Sequence, residues 1–515
     1  MSENPSMCAD RKAAPEILGK VMVLGLGTTG RAVCDYLLTQ QERLEVFCVY
    51  AGASSDDARA FAATLEAAGA QVFFDTIEVS GSFDLCIASP GISQFSDFYQ
   101  NAAAHAKEVI SEVEFAWRES DADSTWITIT GTNGKTTTTA LCAHLLRSGG
   151  WRAQAVGNIG DTCIEAVSKG ETDYYVAEVS SYQLASTKDL APDVAVLLNI
   201  TPDHLKWHGS FEEYCAAKQR IYANLARSGG VAVMDAMNDI VRGYVRELKS
   251  IPAEERGFSY IPIGTAEGLF TSMIDACGSE NAAFVDGAEL VVEFDGATYP
   301  LIEMNELQIP GEHNISNALA AAAAALVVGV EIDRARAGLK SFTALEHRIE
   351  ACGVVGGVEC YNDSKATNVD ATLKALAAFA PRKPIVLLGG DDKGTDLAEL
   401  VEVASEHCKA VVCYGEAGPR FLEAFALSPL PHHEAPHMAE AFDRALALAE
   451  PGDVIQLIFK GDVFQHSPVV IANDGSGEPS GIQIAAHSYD ANCRPLSSYE
   501  YRQYRVLHIL GYYTD

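Results

Sequence analysis

Long apolar runs and paired cysteines are both absent from this chain of 515 residues. No stretch approaches about eighteen uninterrupted apolar residues, and residues 1–20 contain no apolar segment, so neither a membrane span nor a signal peptide is predicted. The cytoplasm is the expected location. None of the 13 cysteines forms a Cys-x-x-Cys pair, which argues against a zinc site or a disulfide framework and indicates reduced thiols that fill the core.

Basic residues are also few. The chain has 37 Lys and Arg against 70 Asp and Glu, a formal net charge of −33, which argues against a nucleic-acid or anionic-membrane partner. Any phosphorylated substrate must therefore be held by local cations, helix ends and metal. The length and a hydrophobic content of 48% predict a folded soluble protein of about three domains.

The clearest local signal is the run Thr130–Thr139, which reads Thr-Gly-Thr-Asn-Gly-Lys-Thr-Thr-Thr-Thr. It follows Trp126–Ile129, a run typical of a buried strand, and leads into a helix predicted over Thr138–Arg147. A strand, a glycine turn, a lysine and hydroxyl groups at a helix start are the parts of a phosphate-binding loop. The sequence therefore predicts a nucleotide triphosphate site.

Each part of this phosphate loop has a chemical role. Gly131 and Gly134 let backbone N–H groups turn inward. Lys135 can reach the terminal phosphates of a nucleotide, and Thr136 can ligate magnesium. The full pattern has a glycine five residues before Gly134, where this chain has Ile129, so the loop is a shortened variant.

A second glycine pattern, Gly25-x-Gly27-x-x-Gly30, follows the strand predicted over Lys20–Leu24 and precedes a helix predicted over Arg31–Leu38. It suggests a dinucleotide fold, but the next strand ends in Tyr50 and offers no carboxylate for a ribose. Another glycine turn, Ser89–Ile92, follows the strand Leu85–Ala88. The two turns predict a site for a pyrophosphate-bearing nucleotide without a nicotinamide, with plain structural turns as the alternative.

Two strands of the middle region carry or precede polar residues. Glu178 lies in the apolar strand predicted over Tyr174–Val179, where a carboxylate is costly to bury without a partner such as magnesium. Asp203 and His204 follow the strand predicted over Val194–Ile200. Carboxylate and imidazole groups at neighbouring strand ends beside a phosphate loop indicate a second cation site, although a lone histidine is more often part of a core.

Five motifs in this order resemble those of the Mur ligases of peptidoglycan synthesis, ATP-dependent enzymes that join a carboxyl group to an amino acid. They are the phosphate loop, the segments Glu178–Ser181 and Asp203–Lys218, and the runs Gly311–Ala320 and Tyr361–Asn368. The last run, which follows His347-Arg348, is most similar to that of the members that add D-glutamate to UDP-N-acetylmuramoyl-L-alanine. The resemblance covers roughly Val21–Leu457.

The resemblance implies site residues in each domain. For the UDP-sugar it implies Gly27, Thr28, Thr29, Ser89, Gly91 and Asn158. For ATP it implies Gly131, Thr132, Asn133, Gly134, Lys135, Thr136, Thr137, Asn314, Asn317, Arg348 and Asp363. For magnesium it implies Thr136, Glu178, His204 and Lys218, and for catalysis Lys135, Glu178, His204 and Lys218. For D-glutamate it implies Lys365, Thr367 and Lys393.

Structural roles, rather than functional ones, stay open for some of these residues. Lys218 resembles a lysine that is N-carboxylated in the family, yet the sequence alone favours an exposed helix lysine. Arg348 and Asp363 also suit a salt bridge between domains, and Lys393 suits a solvated surface. Asn314 and Asn317 are expected on one face, just before a helix predicted over Ala318–Leu326.

The resemblance implies an α/β fold of three domains: a Rossmann-like UDP-binding domain (residues 1–122), a central P-loop ATPase-like domain (123–344) and a Rossmann-like amino-acid domain (345–515). ATP would bind between the second and third domains. The expected reaction is phosphorylation of the UDP-sugar-alanine carboxylate and attack of the D-glutamate amine on the acyl phosphate, within peptidoglycan synthesis and so cell shape and division. A monomer with ATP and magnesium as cofactors is expected. A ligase of different amino-acid specificity, a folate polyglutamylating enzyme and a catalytically silent nucleotide-binding paralogue are the alternatives.

The tail departs from the family pattern from about residue 458 onward. The family would continue into a Ser-Pro-Ala-Cys-like turn and a Ser-Phe-Asp segment that help to hold D-glutamate. Here residues Gly461–Pro468 resemble the expected strand and turn a second time, so Ser467 is predicted to replace the missing serine. A poorly packed tail is the alternative.

Overall fold

The computed structural model describes residues 13–265, 267–270, 277, 279–309, 311–343, 345, 349–364, 366, 369–390, 397–460, 469–473, 482–485 and 494–495. Its larger part is an α/β protein with three sheets in which most neighbouring strands are parallel, so the predicted fold class is confirmed. Each predicted domain contains one of these sheets. Two compact units are present: Met1–Gln308 with His313–Phe342, and Ile309–Glu312 with Thr343–Asp515.

The first sheet has five parallel strands in the order β3-β2-β1-β4-β5. Its strands are β1 (Gly19–Leu24), β2 (Leu44–Gly52), β3 (Gln71–Phe74), β4 (Leu85–Ala88) and β5 (Val109–Ser111). The helices of this region are Thr28–Thr39, Asp56–Ala67, Asp97–His105 and Glu112–Glu119, with a short 3-10 helix at Gln41–Arg43. Because the strand order reverses between β1 and β4, loops after both strands open at one edge of the sheet.

The central sheet has nine strands in the order β14-β13-β12-β11-β10-β9-β6-β8-β7. The parallel strands are β6 (Thr125–Thr130), β7 (Ala153–Gly157), β8 (Tyr174–Glu178), β9 (Val194–Leu197), β10 (Val231–Asp235), β11 (Ser259–Ile263) and β12 (Ala282–Asp286). The strands β13 (Glu289–Phe294) and β14 (Ala297–Glu303) are antiparallel additions. The strand β6 lies between β8 and β9, so the loops that follow these three strands are neighbours.

The helices of the central region include the phosphate-loop helix Lys135–Ser148, the lysine helix Phe211–Gln219 and the asparagine helix Glu312–Val327. The others are Cys163–Lys169, Ser181–Ala185, Leu205–His208, Leu225–Ser228, Asp239–Ser250, Ala253–Arg256 and Ile332–Ser341, with 3-10 turns at Arg220–Tyr222 and Met304–Glu306. Nearly every side chain of the asparagine helix from Ser316 to Leu326 is buried, which its run of alanines permits because small side chains allow close packing.

The third sheet has six strands in the order β15-β16-β20-β17-β18-β19 and forms the core of the second unit. They are β15 (Glu350–Val355), β16 (Val358–Asn362), β17 (Ile385–Gly390), β18 (Ala410–Tyr414), β19 (His432–Ala435) and β20 (Val454–Lys460). The helices are Val369–Ala377, Ala398–His407, Gly418–Phe425 and Met438–Leu448. The last strand in sequence, β20, is central in the sheet, because it pairs in parallel with both β16 and β17.

Three short strands beyond β20 form a separate antiparallel sheet in the order β21-β22-β23. They are β21 (Val469–Asn473), β22 (Ile482–Ala485) and β23 (Arg494–Pro495). This sheet is not a parallel continuation of the six-stranded sheet.

Several predicted boundaries are wrong by a turn of helix. The first helix begins at Thr28 rather than Arg31, and the phosphate-loop helix begins at Lys135 rather than Thr138. Asn314 and Asn317 lie inside the asparagine helix and not before it, because that helix begins at Glu312. Within the described residues, no helix has the length and apolar character needed to cross a bilayer.

Candidate active site

The phosphate loop joins β6 to the phosphate-loop helix at the centre of the nine-stranded sheet. Gly134 is the residue before that helix and has a φ of 83°, a left-handed conformation that favours glycine. A Cβ atom at this position would lie 2.4 Å from Oδ1 of Asn317. Gly134 is therefore required both by its backbone conformation and by the close approach of the asparagine helix.

Asn317 links the asparagine helix to the phosphate-loop helix. Its Oδ1 accepts a hydrogen bond from Oγ1 of Thr138 at 3.2 Å, and its Nδ2 donates to Oδ1 of Asn314 at 3.0 Å. Ser316 of the same helix donates to Oδ2 of Asp235 at 2.9 Å. The start of the asparagine helix is thus fixed on one side by the phosphate-loop helix and on the other by the end of β10.

Asn199, which follows β9, holds the phosphate loop from the opposite side. Its side-chain oxygen accepts from the Asn133 N–H at 2.8 Å, and its Nδ2 donates to the Asn133 carbonyl at 3.0 Å. The backbone carbonyl of Asn199 also accepts from the Thr132 N–H at 2.8 Å. Asn199 therefore fixes two successive residues of the loop.

Two lysine side chains converge on one carbonyl of the loop. Nζ of Lys135 donates to the carbonyls of Gly131 and Thr132 at 2.9 and 2.8 Å, and Nζ of Lys218 donates to the Gly131 carbonyl at 2.7 Å. Burial, followed by the nearby charge of Lys135, holds the pKa of the Lys218 amine well below its usual value. Lys218 is 2% exposed, so the prediction from sequence alone of an exposed helix lysine is wrong.

Glu178 ends β8 directly beside the phosphate loop, since it pairs with Ile129 of β6. Its side chain is buried, with Oε1 accepting from Nδ2 of Asn158 at 3.0 Å. Its Oε2 has no hydrogen-bond partner within the described residues. A buried carboxylate oxygen without a donor fits a cation ligand, because burying an unpaired charge is costly.

His204 lies at the start of the short helix Leu205–His208 and has a φ of 53°. A histidine in this left-handed region is uncommon and is held there by its surroundings. Its backbone N–H donates to Oδ1 of Asp203 at 2.9 Å, and its ring lies 4.9 Å from the ring of Tyr182. The Asp203–His204 turn therefore has a defined conformation in the segment that follows β9.

Among the described residues, one group of three carboxylates has metal-compatible spacing, and it lies elsewhere. Oxygens of Glu108, Glu114 and Asp189 lie within 4.8 Å of one another. The guanidinium of Arg118 contacts all three, at 2.8 Å from Glu108 and 3.5 Å from Asp189, with a closer contact to Glu114. This group is an ion-pair network around a buried arginine.

The two glycine turns of the first sheet meet at one edge. Oγ of Ser89 donates to the Gly25 carbonyl at 3.3 Å, and a Cβ on Gly25 would lie 2.9 Å from the Ser89 side chain. Gly27 precedes the helix Thr28–Thr39, whose first turn contains no acidic residue. The N–H groups that begin this helix can donate hydrogen bonds to a phosphate, and Gly27, Thr28 and Gly91 are exposed.

In the second unit, Asp363 is buried at the end of β16. Its Oδ1 accepts from the Ile349 N–H at 3.3 Å, and its Oδ2 accepts from Nε2 of Gln456 at 3.1 Å. Five other predicted site residues lie outside the described residues: Arg348, Lys365, Thr367, Lys393 and Ser467. Their roles, and that of Asp363 toward ATP, stay predictions.

Two family models match most of the chain. The Mur ligase middle domain matches residues 129–325, and the glutamate ligase domain of Mur ligases matches residues 347–461. The chain belongs to the Mur ligase family. The first match begins with the phosphate loop and ends inside the asparagine helix, so it contains the site residues Glu178, His204 and Lys218 described above.

Three curated relatives each bear the name UDP-N-acetylmuramoylalanine--D-glutamate ligase. The chain is 38% identical to the one from Salinibacter ruber over 85% of this chain and 92% of the relative. It is 35% identical to the one from Shouchella clausii (87% and 93%) and 33% identical to the one from Thermoanaerobacter pseudethanolicus (85% and 92%). These matches confirm the predicted resemblance.

Solved structures of Mur-type ligases share the fold. A pseudomurein peptide ligase type C from Methanothermus fervidus matches with a TM-score of 0.51 at 19% identity, covering 86% of this chain and 97% of that one. MurF from Acinetobacter baumannii matches with a TM-score of 0.52 at 20% identity, covering 75% and 89%. These likenesses support the three-domain Mur ligase fold.

A third family model matches the end of the chain and belongs to a different group. It is described as a putative amidase domain and matches residues 431–510. It overlaps the glutamate ligase domain over residues 431–461 and alone covers residues 462–510. The residues predicted to repeat the Mur ligase strand and turn, including Ser467, thus lie almost wholly beyond the Mur ligase match.

Sequence reasoning missed several residues that shape this Mur ligase site. Asn199, Asp235 and Tyr214 contact the phosphate loop or the asparagine helix through side chains. Asn199 and Asp235 belong to no local motif, and Tyr214 lies inside the segment Asp203–Lys218 but had no role assigned to it. Each of the three contacts a segment at least 66 residues away in sequence. The one available signal was position: Asn199 follows β9, the neighbour of the phosphate-loop strand, and Asp235 ends β10, the strand next to β9.

Proposed function

We propose that this Mur ligase is a UDP-N-acetylmuramoyl-L-alanine--D-glutamate ligase, which uses ATP to join D-glutamate to the sugar-nucleotide carboxylate. The observation that carries the proposal is the identity of 33–38% to relatives of that name over about 85% of the chain. The geometry supports it, because a phosphate loop, a buried carboxylate and a buried lysine meet at the ends of three adjacent strands.

The residues of the chain have separate parts in the reaction. Lys135 leaves the loop carbonyls and follows the phosphoryl group as it passes from ATP to the substrate carboxylate, offsetting its developing charge. The D-glutamate amine then attacks the acyl phosphate, and the tetrahedral intermediate releases phosphate. Gly27, Thr28, Thr29, Ser89 and Gly91 hold the UDP group at the edge of the first sheet.

Magnesium is the metal that we propose for this site. Thr136, Glu178 and His204 would hold it, and the unpartnered buried oxygen of Glu178 is the feature that fits it best. When bound, magnesium neutralises phosphate charge.

We propose that Lys218 becomes N-carboxylated. A neutral amine is the form that adds CO₂, and burial favours that form because it lowers the pKa of the Lys218 amine. The resulting carboxylate would add an oxygen ligand beside Glu178. The location proposed for the enzyme is the cytoplasm, with the monomer as the working form and peptidoglycan synthesis as the process served.

The specificity for the amino acid is tested by changing that one reactant. Phosphate release from ATP is measured with UDP-N-acetylmuramoyl-L-alanine in the presence of D-glutamate, of another amino acid, or of none. Release that depends on D-glutamate is the expected result. Release that depends on a different amino acid would favour another ligase of the group, and ATP binding without any release would favour a silent nucleotide-binding paralogue.

A further inference from the structure

Tyr214 lies at the meeting point of the phosphate loop, the loop after β9 and Lys218. It is 1% exposed and belongs to the lysine helix, four residues before Lys218 and on the same face. Nζ of Lys218 lies 4.9 Å from the centre of the Tyr214 ring. The ring of His208 contacts it edge-on at 5.3 Å.

The hydroxyl of Tyr214 completes the hydrogen bonding of Thr132 in the phosphate loop. Oγ1 of Thr132 donates to the Thr201 carbonyl at 3.1 Å and accepts from the Thr201 N–H at 3.0 Å. It lies 2.8 Å from the Tyr214 hydroxyl. A threonine hydroxyl has one proton and two lone pairs, so with its proton on Thr201 the third bond is donated by Tyr214.

The hydroxyl of Thr132 therefore makes all three of its hydrogen bonds to the protein. Its backbone N–H is also taken, by the carbonyl of Asn199. These contacts leave Thr132 a role in shaping the loop. Tyr214 is the one partner in this set that also touches Lys218.

We propose that Tyr214 is a positioning residue that fixes the phosphate loop through Thr132 and orients Lys218 through its ring. The proposal rests on the nucleotide role proposed above for the loop. A loop held in its binding conformation before ATP arrives binds more tightly, because less ordering remains to be done on binding.

The change Tyr214→Phe removes one oxygen atom and keeps the ring. Tyr260→Phe is a matched control: Tyr260 is also 1% exposed, and its hydroxyl donates to the Cys277 carbonyl at 2.6 Å, far from the loop in sequence. Both variants lose one buried hydrogen bond and should show similar, modest decreases in melting temperature.

Affinity for a non-hydrolysable ATP analogue and for UDP is measured by calorimetry on the full chain, with and without magnesium. Tyr214→Phe should weaken analogue binding about three- to tenfold, the equivalent of one hydrogen bond, and leave UDP binding unchanged. Tyr260→Phe should change neither affinity. In a Thr132→Val background, Tyr214→Phe should cause little further loss.

Three results would overturn the proposal: unchanged analogue affinity in Tyr214→Phe, an equal loss in Tyr260→Phe, or the same loss with and without the Thr132 hydroxyl. A full chain that does not bind the analogue at all would overturn the nucleotide assignment itself. Because the assay needs no D-glutamate, failure of the amino-acid assignment does not affect it.

Discussion

Two regions of this chain differ in how completely local sequence motifs define them. They are the nucleotide region, proposed to bind ATP (residues 123–344), and the amino-acid region, proposed to bind D-glutamate (residues 345–515). In the nucleotide region, the phosphate loop follows β6, Glu178 ends the neighbouring strand β8, and His204 follows β9 on the other side. Lys218 contacts the phosphate loop, and one family model covers all four features. In the amino-acid region, the family match ends at residue 461, and a putative amidase match begins at residue 431. The motifs of the predicted nucleotide site are thus present in a chain whose end matches a different family model.

The position of β20 explains how both regions can coexist. This strand is central in the six-stranded sheet and is its last strand in sequence, so all six strands of the sheet are formed by Lys460. The strands after it form an antiparallel sheet of their own. We therefore expect substitutions in the nucleotide region to abolish catalysis. Substitutions in the tail should affect at most the binding of D-glutamate.

The largest effect is expected from Lys135→Ala. Loss of a cation at a transferring phosphoryl group should reduce turnover by at least about 10²- to 10³-fold, with the fold intact. Phosphate release and thermal melting are measured together. Lys169→Ala is the control, because Lys169 is half-exposed and pairs with Asp161. Near-normal turnover in the Lys135 variant would refute the assignment of the phosphate loop.

Lys218→Ala is expected to reduce turnover by a comparable factor, but this loss should be partly reversible. If Lys218 is N-carboxylated, short carboxylates added to the solution should partly restore activity by occupying the vacated ligand position. Lys218→Met, which keeps most of the side-chain volume, separates loss of the amine from loss of packing. Wild-type rates in the alanine variant at low CO₂ would count against N-carboxylation.

Changes in the tail are expected to have a smaller effect, confined to the binding of D-glutamate. A chain ending at Lys460 should bind UDP and an ATP analogue as the full chain does. If Ser467 holds D-glutamate, Ser467→Ala and the truncation should each raise the D-glutamate Michaelis constant about tenfold or more, since a charged hydrogen bond contributes about 1.5 to 3 kcal/mol. An unchanged constant in both would show that residues 461–515 take no part in D-glutamate binding.

The smallest effect concerns a buried carboxylate outside the site. Glu112 accepts a hydrogen bond from the Ile164 N–H at 2.7 Å, and burial raises its pKa from 4.5 to about 7. The folded state therefore holds this proton more tightly, so the contribution of Glu112 to stability is fully present below pH 4.5 and is lost as pH rises through about 7.

Glu112→Gln keeps the acceptor and removes the charge. It should stabilise the chain by about 1 to 3 kcal/mol at pH 8.5 and by little at pH 5. Denaturation midpoints at the two pH values check this, and nucleotide affinity should not change. An equal shift at both pH values would show that packing, rather than the charge, is responsible.

The sequence predicted the strands of the fold better than the starts of its helices. The strand Leu85–Ala88 was predicted with its observed bounds, because a short apolar run between turns has few alternatives. The phosphate-loop helix was predicted to begin three residues too late, at Thr138 instead of Lys135, because threonines have low helix propensity. Thr137, Thr138 and Thr139 are buried in its first turns, so tertiary packing overrides that preference.

The site was predictable where its residues belong to motifs and not where they act across the fold. Glu178 and His204 were found from their places at strand ends. The roles of Asn199, which belongs to no motif, and of Tyr214, which lies inside the segment Asp203–Lys218, were not found, because their partners in the phosphate loop are 66 and 82 residues away in sequence. Such contacts depend on which strands become neighbours, and no local pattern records that.

The most direct test of the proposed reaction follows one oxygen atom. UDP-N-acetylmuramoyl-L-alanine labelled with ¹⁸O in its carboxylate is incubated with ATP, magnesium and D-glutamate, and the released phosphate is analysed by mass. Transfer of the carboxylate oxygen to phosphorus in the acyl phosphate predicts one labelled oxygen per phosphate, and only when D-glutamate is present. Unlabelled phosphate, or release that does not require D-glutamate, would contradict the proposal.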